Sequence, residues 1–136
     1  MQSRLASRED VTMANPRHEL GLRAETAVSR WLEQSGWRII ARRFRCSLGG
    51  EVDLIAIDPA SVMVAVEVRA RRSGRTGIGS ETIDGERLAH IGHSLATYAA
   101  RADEPHVGLR IDLVILVPRA ADGGWTARRM PDVGGW

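Results

Sequence analysis

The 136-residue chain contains no lysine, and its 19 basic residues are all arginine. It has a single cysteine, Cys46, which excludes an intrachain disulfide and suits a reducing compartment. No apolar run approaches the roughly 18–20 residues that a membrane helix requires. Residues 1–17 are polar and lack the apolar core of a secretory signal peptide. These absences predict a cytoplasmic protein without a membrane partner.

Composition and length favour a single folded domain. Hydrophobic residues make up 43% of the chain and charged residues 26%, a balance that is typical of globular rather than disordered proteins. A chain of this size buries one continuous core and is too short for two ordinary domains. We expect the core domain at residues 18–118, with a flexible lead-in at residues 1–17 and an extension or tail at residues 119–136.

Hydrophobic spacing predicts two helices and four strands. One apolar stripe has helical spacing and contains Ala24, Ala27, Val28, Trp31 and Leu32. Gly36 follows it, where a left-handed cap favours glycine. The predicted elements are a helix at residues 18–35, strands at 37–45, 51–57 and 62–69, a helix at 84–101 and a strand at 111–117. Residues 71–80, rich in glycine, serine and arginine, predict a mobile loop. The order predicts an α/β domain in which helices pack against a mixed sheet.

Arginines are concentrated in two runs on either side of an acidic pair. Residues 37–50 contain four arginines and no acid, and residues 69–75 contain four more, although the net charge is only +2. A solvated basic surface is the usual explanation of such runs. Two runs that flank Asp53 and Glu67 favour contact with an anionic partner.

Asp53 and Glu67 lie on neighbouring predicted strands that form a hairpin. The turn falls at residues 58–61, which read Asp-Pro-Ala-Ser. Because strand side chains alternate between faces, the two carboxylates occupy nearly opposed positions on one face if the register allows. Two carboxylates this close repel unless one is protonated or a cation lies between them. A hard divalent ion, held by carboxylates, waters and substrate phosphate, removes that repulsion.

Two ordinary explanations compete with a metal site. An acidic residue on an exposed strand is commonly solvated, and cross-strand pairs of glutamate and arginine are frequent. Glu67, however, interrupts the apolar strand at residues 62–68, where burying an unpaired charge costs several kcal/mol. Interruptions of this kind tend to mark functional sites. Spacing alone supports the metal site and the ordinary explanations about equally.

Four motifs occur in order along residues 18–118. They are Gly21-Leu22-Arg23-Ala24-Glu25-Thr26-Ala27, Gly50-Glu51-Val52-Asp53-Leu54-Ile55, Val66-Glu67-Val68-Arg69-Ala70-Arg71 and Arg110-Ile111-Asp112-Leu113. Together they resemble the YraN-like family of small bacterial proteins, which is similar to archaeal Holliday-junction resolvases and to the PD-(D/E)xK nuclease superfamily. The resemblance implies a restriction-endonuclease-like αβββαβ core, in which a mixed sheet is flanked by helices.

The resemblance also implies roles for individual acids. Asp53 and Glu67 match the catalytic, metal-binding acids of the superfamily, and the Val68 carbonyl is a third oxygen ligand for Mg²⁺ or Mn²⁺. Glu51 and Glu25 match family acids that would extend the metal site.

Arg69 stands where the superfamily has a catalytic lysine. A lysine can orient or deprotonate the attacking water, because its pKa falls on burial. Arginine stays charged, so it can hold the water or stabilise charge on the phosphate but cannot act as a base. Arg69 is therefore a candidate catalytic residue, and hydrolytic competence depends on whether it replaces the lysine.

The function implied by the resemblance is metal-dependent endonuclease activity on DNA, with branched or single-stranded DNA as candidate substrates. The expected contacts to the phosphate backbone are Arg42, Arg43, Arg45, Arg71, Arg72 and Arg87, the last at the position where the family's second helix begins with lysine. Two other classes stay open: a nuclease-fold module that binds nucleic acid without cutting it, and an arginine-rich module that binds an acidic protein. Metal-dependent nicking, metal-independent DNA binding and absence of DNA binding distinguish the three.

Overall fold

A six-stranded mixed sheet runs through the protein in this computed structural model, which describes residues 2–5, 16–46, 50–71 and 82–134. The elements in chain order are β1 (Gln2–Leu5), α1 (Pro16–Gln34), β2 (Arg38–Phe44), β3 (Val52–Ile57), β4 (Met63–Ala70), α2 (Gly85–Arg101), β5 (Leu109–Pro118) and β6 (Trp125–Met130). The strands lie side by side in the order β1-β6-β5-β4-β3-β2. β4 and β5 are parallel, and the other neighbours in the described sheet are antiparallel.

The two helices cover opposite faces of the sheet, because strand side chains alternate between the faces. On one face, Val28 and Leu32 of α1 pack in a cluster with Val66 of β4. On the other face, Leu95 of α2 packs in a second cluster with Ala65 of β4. The central strand β4 is thus buried on both sides, which explains its nearly continuous hydrophobicity. The protein is an α/β domain with a restriction-endonuclease-like core, and the predicted fold class is confirmed.

The six predicted elements are all present, with ends within two residues of the prediction. Gly36 has a φ of +89°, in the left-handed region that favours glycine, and so ends α1 as expected. The Trp37 amide donates to the Leu32 carbonyl at 3.0 Å and closes the last turn of α1. Asp84 caps the start of α2, since its carboxylate accepts from the Arg87 amide at 2.8 Å.

Both ends of the chain differ from the prediction. Residues 119–136, expected to form an extension or tail, contain β6, which forms six residue pairs with β5. Residues 1–17, expected to be a flexible lead-in, contain β1 and the beginning of α1. Of the side chains in β6, only Trp125 and Ala127 are buried. A strand with so short an apolar alternation resembles a polar loop in the sequence.

Residues 72–80, which make up most of the predicted mobile loop, lie outside the described residues. The Arg71 amide, at the start of that segment, donates to the Leu116 carbonyl at 2.8 Å and continues the pairing of β4 with β5. Neither described helix combines the length and the hydropathy needed to cross a membrane.

A buried ion network ties β5 to its neighbours. The fully buried Asp112 carboxylate accepts hydrogen bonds from Arg110 at 2.8 and 3.0 Å and from Arg129 at 2.7 Å. Arg110 also donates to Asp58, in the turn between β3 and β4, at 3.0 Å. Both guanidinium groups lie over the ring of Trp37. These contacts neutralise the buried carboxylate and fasten the β3–β4 turn to β5 and β6.

Asp112→Asn tests this network. The substitution keeps the size of the side chain but removes the counter-charge of Arg129 and leaves Arg110 with that of Asp58 alone. We expect the free energy of unfolding, measured with urea, to fall by roughly 3–5 kcal/mol, the range for breaking a buried ion pair. Glu104→Gln, which breaks the exposed pair with Arg38, is the control and should leave the urea midpoint nearly unchanged. Similar effects of the two substitutions would contradict a stabilising role for the network.

Candidate functional site

The paired acids lie where β3 and β4 stop pairing. The last cross-strand pair of this hairpin is Leu54↔Val66, and Asp53 and Glu67 are the next residues on their strands. Beyond that pair, the Val68 amide donates to Asp53 Oδ2 at 2.8 Å. A side-chain carboxylate therefore takes the place of a backbone acceptor, and the Asp53 carboxyl lies in the gap between the diverging strands.

Side-chain alternation changes at the same level of the sheet. Arg42 contacts α1 through Ser29, whereas Phe44 packs against Tyr98 of α2, although alternation would place both side chains on one face. Arg43, between them, has a φ of +51°, in the left-handed region that residues with a side chain rarely adopt. This conformation carries Arg43 as well as Arg42 to the α1 side. Strained backbone of this kind is concentrated at functional sites.

The Asp53 and Glu67 carboxyls lie close enough for each to affect the ionisation of the other. Burial, and then the charge of Glu67, raise the pKa of Asp53 to about 8, while the Val68 amide opposes that rise. The charge of Glu25, on α1, raises the pKa further. At neutral pH the pair of carboxyls therefore retains one proton unless a cation replaces it.

Glu67 is only 7% exposed and forms an ion pair with Arg87 in the first turn of α2. Arg87 Nε and Nη2 donate to the two carboxylate oxygens of Glu67 at 3.0 and 2.9 Å. Nη2 also donates to the Glu51 carbonyl at 2.6 Å. The bidentate geometry satisfies both oxygens and accounts for the burial of the charge. Arg87, a predicted phosphate contact, thus lies within the carboxylate site.

The two further predicted metal-binding acids lie at the margin of the site. Glu25 accepts from Arg43 Nε at 3.1 Å, and Glu51 accepts from Arg45 Nη2 at 3.2 Å. Across the described ranges, no group of three or more His, Cys, Asp or Glu side chains is arranged to hold a metal ion. A cation at the two central carboxyls would therefore take its remaining ligands from the backbone, water and substrate phosphate, as Mg²⁺ commonly does.

Arg69, the candidate catalytic cation, lies two residues beyond Glu67 on β4. Its Nη1 donates to the Thr82 carbonyl at 3.3 Å, in the segment that leads into α2. The intervening residue, Val68, directs its amide to Asp53, and its carbonyl stays a predicted metal ligand.

Exposed arginines lie beside the gap, at the end of β2. This basic rim consists of Arg42, Arg43 and Arg45. Arg42 donates to the neutral Ser29 hydroxyl at 2.8 Å, and no carboxylate among the described residues forms an ion pair with it. Arg71 lies half-buried at the end of β4, and Arg72 falls outside the described residues.

Three contributors to the site are not apparent from the sequence. Ser29 is 1% exposed, and its hydroxyl donates to the Glu25 carbonyl and accepts from the basic rim. Val68 acts through its backbone amide, which no side-chain pattern reveals. Gly50 leaves room for a guanidinium, since an added Cβ would lie 2.7 Å from Arg87 Nη1. The signals available in the sequence are the four-residue spacing of Glu25 and Ser29 on one helix face and the presence of Gly50 and Val68 in two of the motifs.

A mixed sheet whose diverging central strands bring two carboxyls together between two helices defines a restriction-endonuclease-like α/β domain. The chain belongs to the Uncharacterised protein family UPF0102, whose profile matches residues 24–116. This membership confirms the resemblance to the YraN-like family.

Relatives in several bacteria carry the same family name. A UPF0102 protein of Pelotomaculum thermopropionicum is 42% identical over 79 residues, which cover 58% of this chain and 64% of the relative. A UPF0102 protein of Bordetella avium is 33% identical over 118 residues, or 87% of this chain and 79% of the relative. A third, of Symbiobacterium thermophilum, is 36% identical over 99 residues, or 73% and 82%. These names state a family and no activity.

The raised pKa of Asp53 predicts a pH-dependent loss of stability. In the unfolded chain the carboxyl titrates near its ordinary value of 3.8, so between about pH 4 and pH 8 the folded protein retains a proton that the unfolded chain has lost. The stability associated with that proton is present in full below about pH 4. It is lost progressively until the pH exceeds about 8.

Asp53→Asn tests this dependence, because asparagine has no proton to lose and keeps an oxygen for the Val68 amide. In thermal unfolding with EDTA, we expect the variant to match the parent near pH 4 and to be more stable at pH 9. The difference should be on the order of a few kcal/mol at most, since one pKa unit corresponds to about 1.4 kcal/mol. Asp103→Asn, at an exposed position, is the control. An advantage of Asp53→Asn that does not grow with pH would contradict the paired geometry.

Proposed function

We propose that the protein is a metal-dependent, endonuclease-like enzyme that acts on DNA, with Asp53 and Glu67 as its metal-binding catalytic acids. The observation that carries this proposal is the placement of the two carboxyls side by side, just beyond the last residue pair of β3 and β4. Their mutual repulsion costs free energy that only a proton or a cation relieves. Membership of a family that resembles the PD-(D/E)xK nucleases supports the same function.

The residues of the site fit Mg²⁺ or Mn²⁺. The raised pKa of Asp53 means that the site favours an added positive charge over two ionised carboxylates. The Val68 amide fixes the Asp53 side chain, so this ligand is oriented in advance. The further oxygen donors that we propose are the Val68 carbonyl, water and substrate phosphate, while Glu25 and Glu51 stay paired with arginines at the margin of the site.

A bound divalent ion supplies Lewis-acid stabilisation of charge on the phosphate and a water of lowered pKa. Asp53 and Glu67 would hold the divalent ion in the gap between β3 and β4. Arg69, two residues along β4 from Glu67, donates hydrogen bonds to the charge that develops on the scissile phosphate. Because arginine does not release its proton, it orients and stabilises the reactants rather than serving as the base.

The basic rim supplies contacts to the DNA backbone, and we propose Arg71 and Arg72 as further contacts. Arginine–phosphate contacts bind without regard to sequence and weaken steeply with salt. Contacts of this kind carry no sequence information, so we propose selection of DNA by shape, with branched or single-stranded DNA as the preferred substrate.

Arg69 favours a second candidate function, a nuclease-fold module that binds DNA without cutting it. Arginine in place of lysine removes the candidate general base of the motif, because arginine does not release its proton. Such a module would retain the basic rim and its salt-dependent binding. The two functions differ in whether a divalent ion produces cleavage.

Arg69→Lys separates these functions. We expect Mn²⁺-dependent cleavage of branched or single-stranded DNA to rise, by up to roughly 10²–10⁴-fold, because a positioned lysine can orient or deprotonate water. Asp53→Asn should abolish cleavage in both the parent and the Arg69→Lys background. Labelled duplex, single-stranded and branched substrates provide the assay, and Arg38→Lys, at a remote exposed ion pair, is the matched control.

Metal binding by the Arg69→Lys protein without cleavage of any of these substrates would sink the nuclease proposal. The binding module would then take its place.

Arg42→Gln tests the basic rim. Loss of one phosphate contact should weaken binding to all DNA sequences alike and reduce the slope of log affinity against log salt by about one. Fluorescence anisotropy at several salt concentrations measures both quantities, with Ca²⁺ in place of Mn²⁺. Arg38→Gln removes the same charge from a position occupied by the ion pair with Glu104, and it should leave the slope unchanged. Equal slopes for the parent, Arg42→Gln and Arg38→Gln proteins would show that Arg42 does not contact the DNA backbone.

A further inference from the structure

Arg87 occupies the position that a cation bound to Glu67 would need. Its Nε and Nη2 engage both carboxylate oxygens of Glu67, at 3.0 and 2.9 Å. The same guanidinium donates to the Glu51 carbonyl at 2.6 Å. A divalent ion that takes Glu67 as a ligand must therefore share those oxygens with Arg87 or displace it.

The absence of a side chain at Gly50 leaves room for the Arg87 guanidinium. An added Cβ at this position would lie 2.7 Å from Arg87 Nη1, closer than atoms approach without a shift. Because the clashing atom is the far end of a flexible side chain, the guanidinium would move and the backbone would stay. A substitution of Gly50 therefore disturbs the contact between Arg87 and Glu67 without changing a charged group.

The helix position of Arg87 allows the guanidinium to leave. The Cα is anchored in the first turn of α2, where its amide bonds to the Asp84 carboxylate at 2.8 Å. The side chain is 26% exposed, against 9% for that of Glu67, so it borders solvent while its partner does not. Arginine also carries several rotatable bonds between that anchor and the charge.

We propose that Arg87 is a displaceable internal counter-ion of Glu67, which a divalent cation expels on binding and which then becomes free to hold a substrate phosphate. The inference rests on the proposed metal site. Metal binding and phosphate binding are thereby coupled through one side chain, because the guanidinium cannot serve both anions fully at once.

Calorimetric titration of Mg²⁺ into the protein without DNA, at pH 8.5, tests the competition. Arg87→Gln removes the competing charge but keeps a hydrogen-bond donor for Glu67, and we expect it to bind Mg²⁺ about tenfold more tightly. Gly50→Ala should shift affinity in the same direction by a smaller factor, because it displaces the guanidinium without removing it. Arg87→Lys, which restores a cation, should return affinity towards that of the parent.

Arg38→Gln is the matched control, because it removes one positive charge from an exposed ion pair with Glu104 that has no part in the site. Its Mg²⁺ affinity should stay within about twofold of the parent. An equal increase in the Arg38→Gln and Arg87→Gln proteins would mean a general field effect and overturn the displacement. Weaker binding in Arg87→Gln would mean that Arg87 only positions Glu67, and it would also overturn the proposal.

The outcomes separate this inference from the proposed function. If the parent binds Mg²⁺ and Arg87→Gln and Gly50→Ala bind it no more tightly, the counter-ion proposal fails and the metal site stands. If neither the parent nor the two variants binds Mg²⁺ or Mn²⁺, the metal site fails and the counter-ion proposal fails with it. Thermal unfolding with EDTA confirms that each variant is folded at the titration temperature.

Discussion

The Asp53 carboxyl accepts a hydrogen bond from the Val68 amide, just beyond the last residue pair between β3 and β4. This hydrogen bond holds the Asp53 carboxyl between β3 and β4, beside Glu67 on the neighbouring strand. Because two neighbouring carboxylates repel, the site requires a compensating positive charge. The pKa of Asp53, the ion pair of Glu67 and the proposed affinity for divalent ions all follow from that requirement.

The protein solves the same electrostatic problem differently at its two ion clusters. At Asp112, one carboxylate receives two guanidinium groups and a backbone amide, so its charge is fully compensated and has no remaining capacity for a cation. At the gap, two carboxyls share one guanidinium, from Arg87, and one amide. The first arrangement suits a structural clamp. The second leaves the Asp53 carboxyl with a raised pKa, so its proton is one that a bound cation can replace.

Sequence alone predicts the two helices and the central strands better than it predicts the edge strands and the backbone geometry of the site. The stripe of α1 and the apolar run of β4 identify their elements because periodicity reports which faces are buried. The hairpin alternation likewise places Asp53 opposite Glu67. The ends are missed because β6 buries two side chains and β1 is four residues long, which is too little signal for any pattern. The bond from the Val68 amide and the left-handed backbone of Arg43 are missed because tertiary context, and not residue type, determines them.

One edge of the sheet is made from the two ends of the described chain. Gln2–Leu5 pairs with Trp125–Met130, so partners separated by about 120 residues in sequence lie side by side in space. Closing so long a loop costs chain entropy that few contacts repay at first, so this edge should join the sheet after the hairpin of β3 and β4 has formed. β1 is synthesised before β6 but can pair with the sheet only once β6 is available. Assembly of the site, built from β3, β4 and the two helices, therefore precedes completion of the sheet that surrounds it.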